Sequence, residues 1–194
     1  LMLTSRVFPL SRWSVRLALI VGFALFTGLA AQVRIPLPFT PVPITLQVLA
    51  VILSGLLLGP RDGFSSQLAY LALILAGAPL AAGAKGGPGV FLGPTAGYLL
   101  AFPVAAALVG WLTGDGRRGR SLLAALLGIV VIYLGGASWL AVVLRLTPAA
   151  AFQLGVAPFL LVDLAKAVIA VLVAHSGLAL LAGLGWSRPP AGHA

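Results

Sequence analysis

Two ionisable residues stand inside an otherwise apolar run toward the C-terminal end, Asp163 and Lys166, in the stretch from Pro158 to Lys166. On a helix a three-residue spacing puts both on one face, close enough to pair. Each charge costs about 2.5–3.5 kcal/mol at the centre of a membrane helix, so keeping two there calls for a reason. One reason is structural, an ion pair that offsets its own desolvation. The other is recognition: a carboxylate accepts from N–H donors and an ammonium beside it donates to a carbonyl, which together suit a polar ligand group.

A second candidate is the run from Ala84 to Tyr98, which holds Lys85, Gly86, Gly87, Gly89, Gly93 and Gly97. Glycine lets backbone approach a ligand closely, and it serves equally in a lid or an ordinary flexible connection. A phosphate loop is excluded, because Gly87-Pro88-Gly89 meets Gly93 at the wrong offset for GxGxxG and no Gly-Lys-Ser/Thr occurs. Gln47, Gln67, Tyr70 and Tyr98 add hydrogen-bonding groups in apolar surroundings, as ligand contacts or as glue between helices. Ser138, behind Gly136 and Ala137, could form an intramembrane dyad with His175. Trp139, however, stands where a rhomboid-type GxSG motif carries its second glycine. No His/Asp/Glu cluster has metal-ligand spacing, Asp62 and Asp115 fall in expected loops, and the chain has no cysteine. Metal, thiol and disulfide chemistry therefore have no candidates.

The elements that position these groups follow from composition. The 194 residues are 61% hydrophobic and 8% charged, with a mean hydropathy of +1.14, which excludes a soluble globule. The formal charge of +9 arises because three aspartates face twelve Lys and Arg. That is scarcity of acid rather than a basic patch, so no nucleic acid is expected as a partner. A bilayer crossing needs roughly 20 apolar residues. Six stretches qualify, at about 17–33, 44–58, 63–76, 95–112, 121–144 and 152–184, the last beginning irregularly near Pro158 or tilting strongly. Pro36, Pro38, Pro41 and Pro43 forbid a helix between the first two. The expected fold is all-α, a polytopic membrane protein forming a single integral membrane domain over 1–194, with the first stretch a retained helix and not a signal peptide.

Short-loop basic residues orient the chain. With the N-terminus inside, Arg6, Arg12, Arg16, Arg61, Arg117, Arg118, Arg120 and Arg188 lie cytoplasmic, against Arg34, Lys85 and Arg145 outside. The expectation is N-in and C-in, with the Pro-rich and Gly-rich loops external. On the first stretch, Ala18 with Gly22 and Ala24 with Gly28 are small residues at four-residue spacing, which permits close helix approach, within the fold or to a partner.

The Pro-rich run from Ile35 into Thr45 and Gln47 resembles the BioY family, as do Gly55 through Gly59-Pro60-Arg61, Gly86-Gly87-Pro88-Gly89, Gly93-Pro94-Thr95-Ala96-Gly97-Tyr98 and Asp163 with Lys166. These are the biotin-specific substrate-binding S components of energy-coupling-factor (ECF) transporters. Ala96 departs from the glycine more usual after Gly-Pro-Thr. The resemblance implies a six-helix subunit of the cell inner (plasma) membrane that captures biotin near the external face, without a cofactor and without an ATPase of its own. It implies a membrane-embedded coupling subunit and two cytoplasmic ATPases as partners, with Ala18 and Gly22 on the docking surface. Biotin has a ureido ring with two N–H donors and a carbonyl, an apolar thiophane and a carboxylate tail. Asp163 then accepts from a ureido N–H, and Lys166 donates to the ureido oxygen or holds Asp163 charged. Lys85, or the N–H groups of Gly86 and Gly87, receive the carboxylate, with Tyr98 and Tyr70 along the ligand body. An S component for another vitamin, or an intramembrane serine protease, are the competing readings.

Overall fold

The computed structural model describes residues 12–114 and 117–183. Arg6, Asp115 and Arg188 lie outside the described residues. The chain runs α1 (Arg12–Gln32), β1 (Arg34–Leu37), β2 (Thr40–Thr45), α2 (Gln47–Leu75), a 3-10 turn (Pro88–Leu92), α3 (Ala96–Thr113), α4 (Arg118–Leu144), α5 (Pro148–Gly155), a second 3-10 turn (Ala157–Phe159) and α6 (Leu160–Gly183). Among the described residues, five helices are long and apolar enough to cross a membrane. The structure is mostly helical, but not all-α. The Pro-rich segment forms a two-stranded antiparallel hairpin pairing Arg34 with Thr45 and Ile35 with Ile44. Proline blocks the helix there yet suits extended backbone, and a short ladder tolerates the missing N–H donors.

The 29-residue α2 is broken within itself. Gly59 has φ 83° and ψ −176°, a backbone state that side-chain-bearing residues avoid, and Pro60 follows it as the first residue of the resumed helix. The two arms fold back on each other: Gln47 Nε2 donates to Tyr70 OH at 2.7 Å and Gln67 Nε2 to Ser54 Oγ at 3.1 Å. A β-carbon on Gly63 would lie 3.2 Å from the Gly55 Cα, so the arms touch backbone to backbone. Because the second arm starts at Pro60 and not at Gly63, Asp62 is a helical residue and not the loop carboxylate expected from sequence. It is buried and takes a bidentate bond from Arg16 of α1, Nε to Oδ2 at 3.0 Å and Nη2 to Oδ1 at 2.7 Å. The start of a helix also favours an acid electrostatically.

Packing centres on α2 and α3, where Val51, Leu56, Ile74, Ala105 and Val109 are fully or almost fully buried. The outer helices present large apolar side chains outward, among them Leu17, Val21 and Leu29 on α1 and Leu161, Leu164 and Leu172 on α6. Such a surface needs hydrocarbon around it. The sixth expected stretch resolves into α5, a 3-10 turn through Pro158, and α6, so its length comes from an irregular start.

Candidate functional site

The second 3-10 turn launches α6 so that Asp163 and Lys166 fall in its first two turns, facing inward and almost wholly buried. Lys166 Nζ donates to Asp163 Oδ1 at 2.6 Å, and Tyr133 OH on α4 donates to Oδ2 at 2.7 Å. Both oxygens are thus held, and each keeps a lone pair for a further donor. The pair costs desolvation that an apolar pair would not, but its hydrogen bonds offset part of it.

These groups border a cavity of about 430 Å³, within the range of small-molecule sites. Phe102, Leu99 and the Tyr98 ring from α3 and Ile132 from α4 supply apolar wall, while Gln47 and Thr45 add polar atoms on the hairpin side. Arg34, Lys85 and Gly86 line it as well, and Arg34 and Lys85 are exposed, which puts two cations where the cavity meets solvent.

Of the residues singled out in the sequence, Asp163, Lys166, Tyr98, Lys85 and Gly86 share this cavity. Tyr70 does not line it. Wholly buried, Tyr70 accepts from Gln47, donates to the Leu80 carbonyl at 3.2 Å and stacks on Phe102, so it stands behind the wall. Gly87 is likewise turned away, its N–H donated to the Ile74 carbonyl at 2.7 Å. The Tyr98 hydroxyl is committed to the Gly155 carbonyl at 2.7 Å, so only its ring is offered to the cavity. The Gly-rich connection is anchored on α4, because Trp139 Nε1 donates to the Gly93 carbonyl at 2.9 Å. Tyr133 and Arg34 carry no site role in the sequence taken alone. The one tyrosine of the apolar α4 was the signal for the first; the second had none beyond its place beside the Pro-rich run.

Between residues 5 and 183 the sequence matches the model of the BioY family. This chain belongs to the BioY family. Relatives include the probable biotin transporter BioY of Pyrococcus horikoshii, 44% identical over 158 residues that cover 81% of this chain and 93% of the relative. The biotin transporter BioY of Rhodobacter capsulatus is 40% identical over 167 residues, covering 79% and 87%. A crystal structure of the S-component for biotin from an ECF-type ABC transporter matches with a TM-score of 0.79 at 29% identity, over 84% of this chain and 89% of that one.

In this BioY-family chain the two small-residue pairs of α1 point different ways. Ala24 and Gly28 are buried, with Leu80 filling the space where a Gly28 side chain would go. Ala18 and Gly22 are exposed, and a β-carbon on Gly22 would meet nothing within 4 Å. The dyad reading fails on register. Tyr133 opposite Asp163 aligns the antiparallel α4 and α6. Ser138 lies five residues past the first and His175 twelve past the second, in opposite directions, so about 25 Å separates them at 1.5 Å per residue. The family is one of transporter components, not enzymes.

Proposed function

We propose that this chain captures biotin for uptake across the plasma membrane, as the S component of an ECF transporter. The observation that carries the reading is the Asp163–Lys166–Tyr133 cluster at an apolar cavity with Arg34 and Lys85 at its mouth. That order of chemistry matches biotin: a neutral ureido head that both donates and accepts, an apolar middle, and an anionic tail. Asp163 accepts from a ureido N–H, Lys166 donates to the ureido oxygen, and the tail carboxylate lies toward Arg34 and Lys85.

Each arm of α2 crosses the bilayer separately, giving six crossings in total. The doubled-back contacts across Gly59 support this. Arg61 and the basic run at the start of α4 face the cytoplasm and Arg34, Lys85 and Arg145 the exterior, so both termini are cytoplasmic and the cavity mouth opens outward. With no nucleotide motif in the sequence, energy comes from partners: a membrane-embedded coupling subunit and two cytoplasmic ATPases. The exposed Ala18 and Gly22 face of α1 is the surface on which the coupling subunit packs.

Equilibrium binding of biotin to the detergent-solubilised chain, with thiamine and riboflavin as controls, tests the capture function. Saturable one-to-one binding selective for biotin is expected. Folded protein that binds a control vitamin in preference to biotin would overturn the ligand assignment.

A further inference from the structure

The last residue of α1 reaches across to the connection that follows α2. Gln32 Nε2 donates to the Ala81 carbonyl at 3.2 Å, as well as to the Gly28 carbonyl at 3.0 Å in its own helix, and Gln32 Oε1 accepts from the Ala84 N–H at 2.9 Å. One side-chain amide thus holds both ends of a tight turn that is itself closed by the Ala81 N–H on the Lys85 carbonyl at 3.0 Å. The turn is unusual in its own right, since Ala84 has φ 56°, a left-handed state that an alanine rarely adopts unaided. Lys85 is the next residue, and it lines the cavity. Two residues beyond Gln32, the Arg34 guanidinium lies against the same turn, 2.7 Å from where a β-carbon on Gly83 would be.

The end of α1, the first residue of β1 and the 81–85 turn therefore form one unit that carries both cations of the cavity mouth. Lys85 projects from a four-carbon stem, and its ammonium is useful to a ligand only if the backbone beneath it is fixed. We infer that Gln32 is a positioning residue for ligand selection, its amide fixing the turn that sets Lys85 beside Arg34 and so conferring preference for a ligand with an anionic tail. The inference rests on the reading that the ligand carboxylate lies at this mouth. Gln32 itself need not touch the ligand.

The test compares the affinities of biotin and biotinamide, whose tail is neutral, for the full chain and for Gln32→Met, Lys85→Met and the double variant. The unmodified chain should prefer biotin. Gln32→Met should cut that preference about threefold or more, almost entirely through weaker biotin binding, while biotinamide affinity stays within about twofold. Lys85→Met should do the same, and the double variant should lose no more than Lys85→Met alone. Equal weakening of both ligands by Gln32→Met would mean a scaffold role only and overturn the inference. Preference lost in Lys85→Met but intact in Gln32→Met would overturn it while leaving the carboxylate reading standing. Preference lost in Gln32→Met but intact in Lys85→Met would reject the route through Lys85. An unmodified chain with no preference would overturn both. If Gln32→Met yields no folded protein, Gln32→Asn, one methylene too short to reach both ends of the turn, is read in the same way.

Discussion

Tyr133 on α4 and Asp163 on α6, thirty residues apart in the chain, meet through a 2.7 Å bond from the phenol to Oδ2. With Lys166 on Oδ1, that bond fixes the rotation of the carboxylate about its own axis. Asp163→Asn keeps the shape and removes the charge, and biotin affinity should fall about tenfold or more, a loss of at least ~1.4 kcal/mol. Tyr133→Phe frees one oxygen and should weaken binding by a smaller factor, about threefold, with little change in melting temperature. Calorimetric titration reads both, and an Asp163→Asn variant with unaltered affinity removes Asp163 from the site.

Arg16 and Asp62 join α1 to the second arm of α2, with Asp62 buried and the Arg16 side chain 34% exposed. Removing one member of a fully buried pair costs roughly 3–5 kcal/mol, and the partial exposure of Arg16 reduces this to about 1–2 kcal/mol for Asp62→Ala. Thermal unfolding in detergent should show that loss. The Arg16→Met/Asp62→Leu pair should recover most of it, and a melting curve for Asp62→Ala that superposes on the parent would show that the bond contributes nothing.

Gly136 lies directly under the Tyr98 ring, so a methyl at this position overlaps it. Gly136→Ala must displace the ring and strain the bond from Tyr98 to the Gly155 carbonyl, which braces the turn leading into α6. Both stability and biotin affinity should drop, the second by about tenfold. Tyr98→Phe keeps the ring and removes only the brace, and its loss should be smaller. Equal affinities for Gly136→Ala and the parent would show that the ring is not part of the cavity wall that matters.

Gly22 faces open space, so Gly22→Leu should leave folding and biotin binding within about twofold of the parent. On the proposed docking face it should nonetheless prevent co-purification with the coupling subunit, because small-residue helix contacts do not admit an isobutyl group. Undiminished co-purification would move the docking face elsewhere.

The natural lack of cysteine makes the topology directly readable. A single cysteine at Gly119, exposed at the start of α4, should react with a membrane-impermeant maleimide only after the cells are opened. One at Leu92, exposed in the Gly-rich connection, should react in intact cells. The reverse pattern would invert the proposed orientation.

Signals that reside in one segment were legible in the sequence. The apolar stretches, the Pro-rich interruption and the Asp163–Lys166 spacing each follow from local periodicity and cost. The features that were missed depend on partners far along the chain. Asp62 reads as a turn residue beside Gly59-Pro60, and only Arg16, 46 positions earlier, explains its burial. Tyr70 reads equally as a ligand contact or as glue between helices, and only its bonds with Gln47 and the Leu80 carbonyl show its hydroxyl to be glue; the Tyr98 hydroxyl is likewise spent on the Gly155 carbonyl, although its ring lines the cavity. Gly87 has a flexible backbone, yet its N–H is spent on Ile74. Residue type announces a hydrogen bond without naming the other end.

The Asp163–Lys166 pair sums to zero charge, and a ureido head brings none to it. Moving one elementary charge through the whole membrane potential is worth about 2.3 kcal/mol per 100 mV. A ligand whose single charge halts at Arg34 and Lys85, at the rim, traverses almost none of that field. On the proposed pose and orientation, loading the site is electrically silent, and a de-energised cell should fill it as readily as a respiring one.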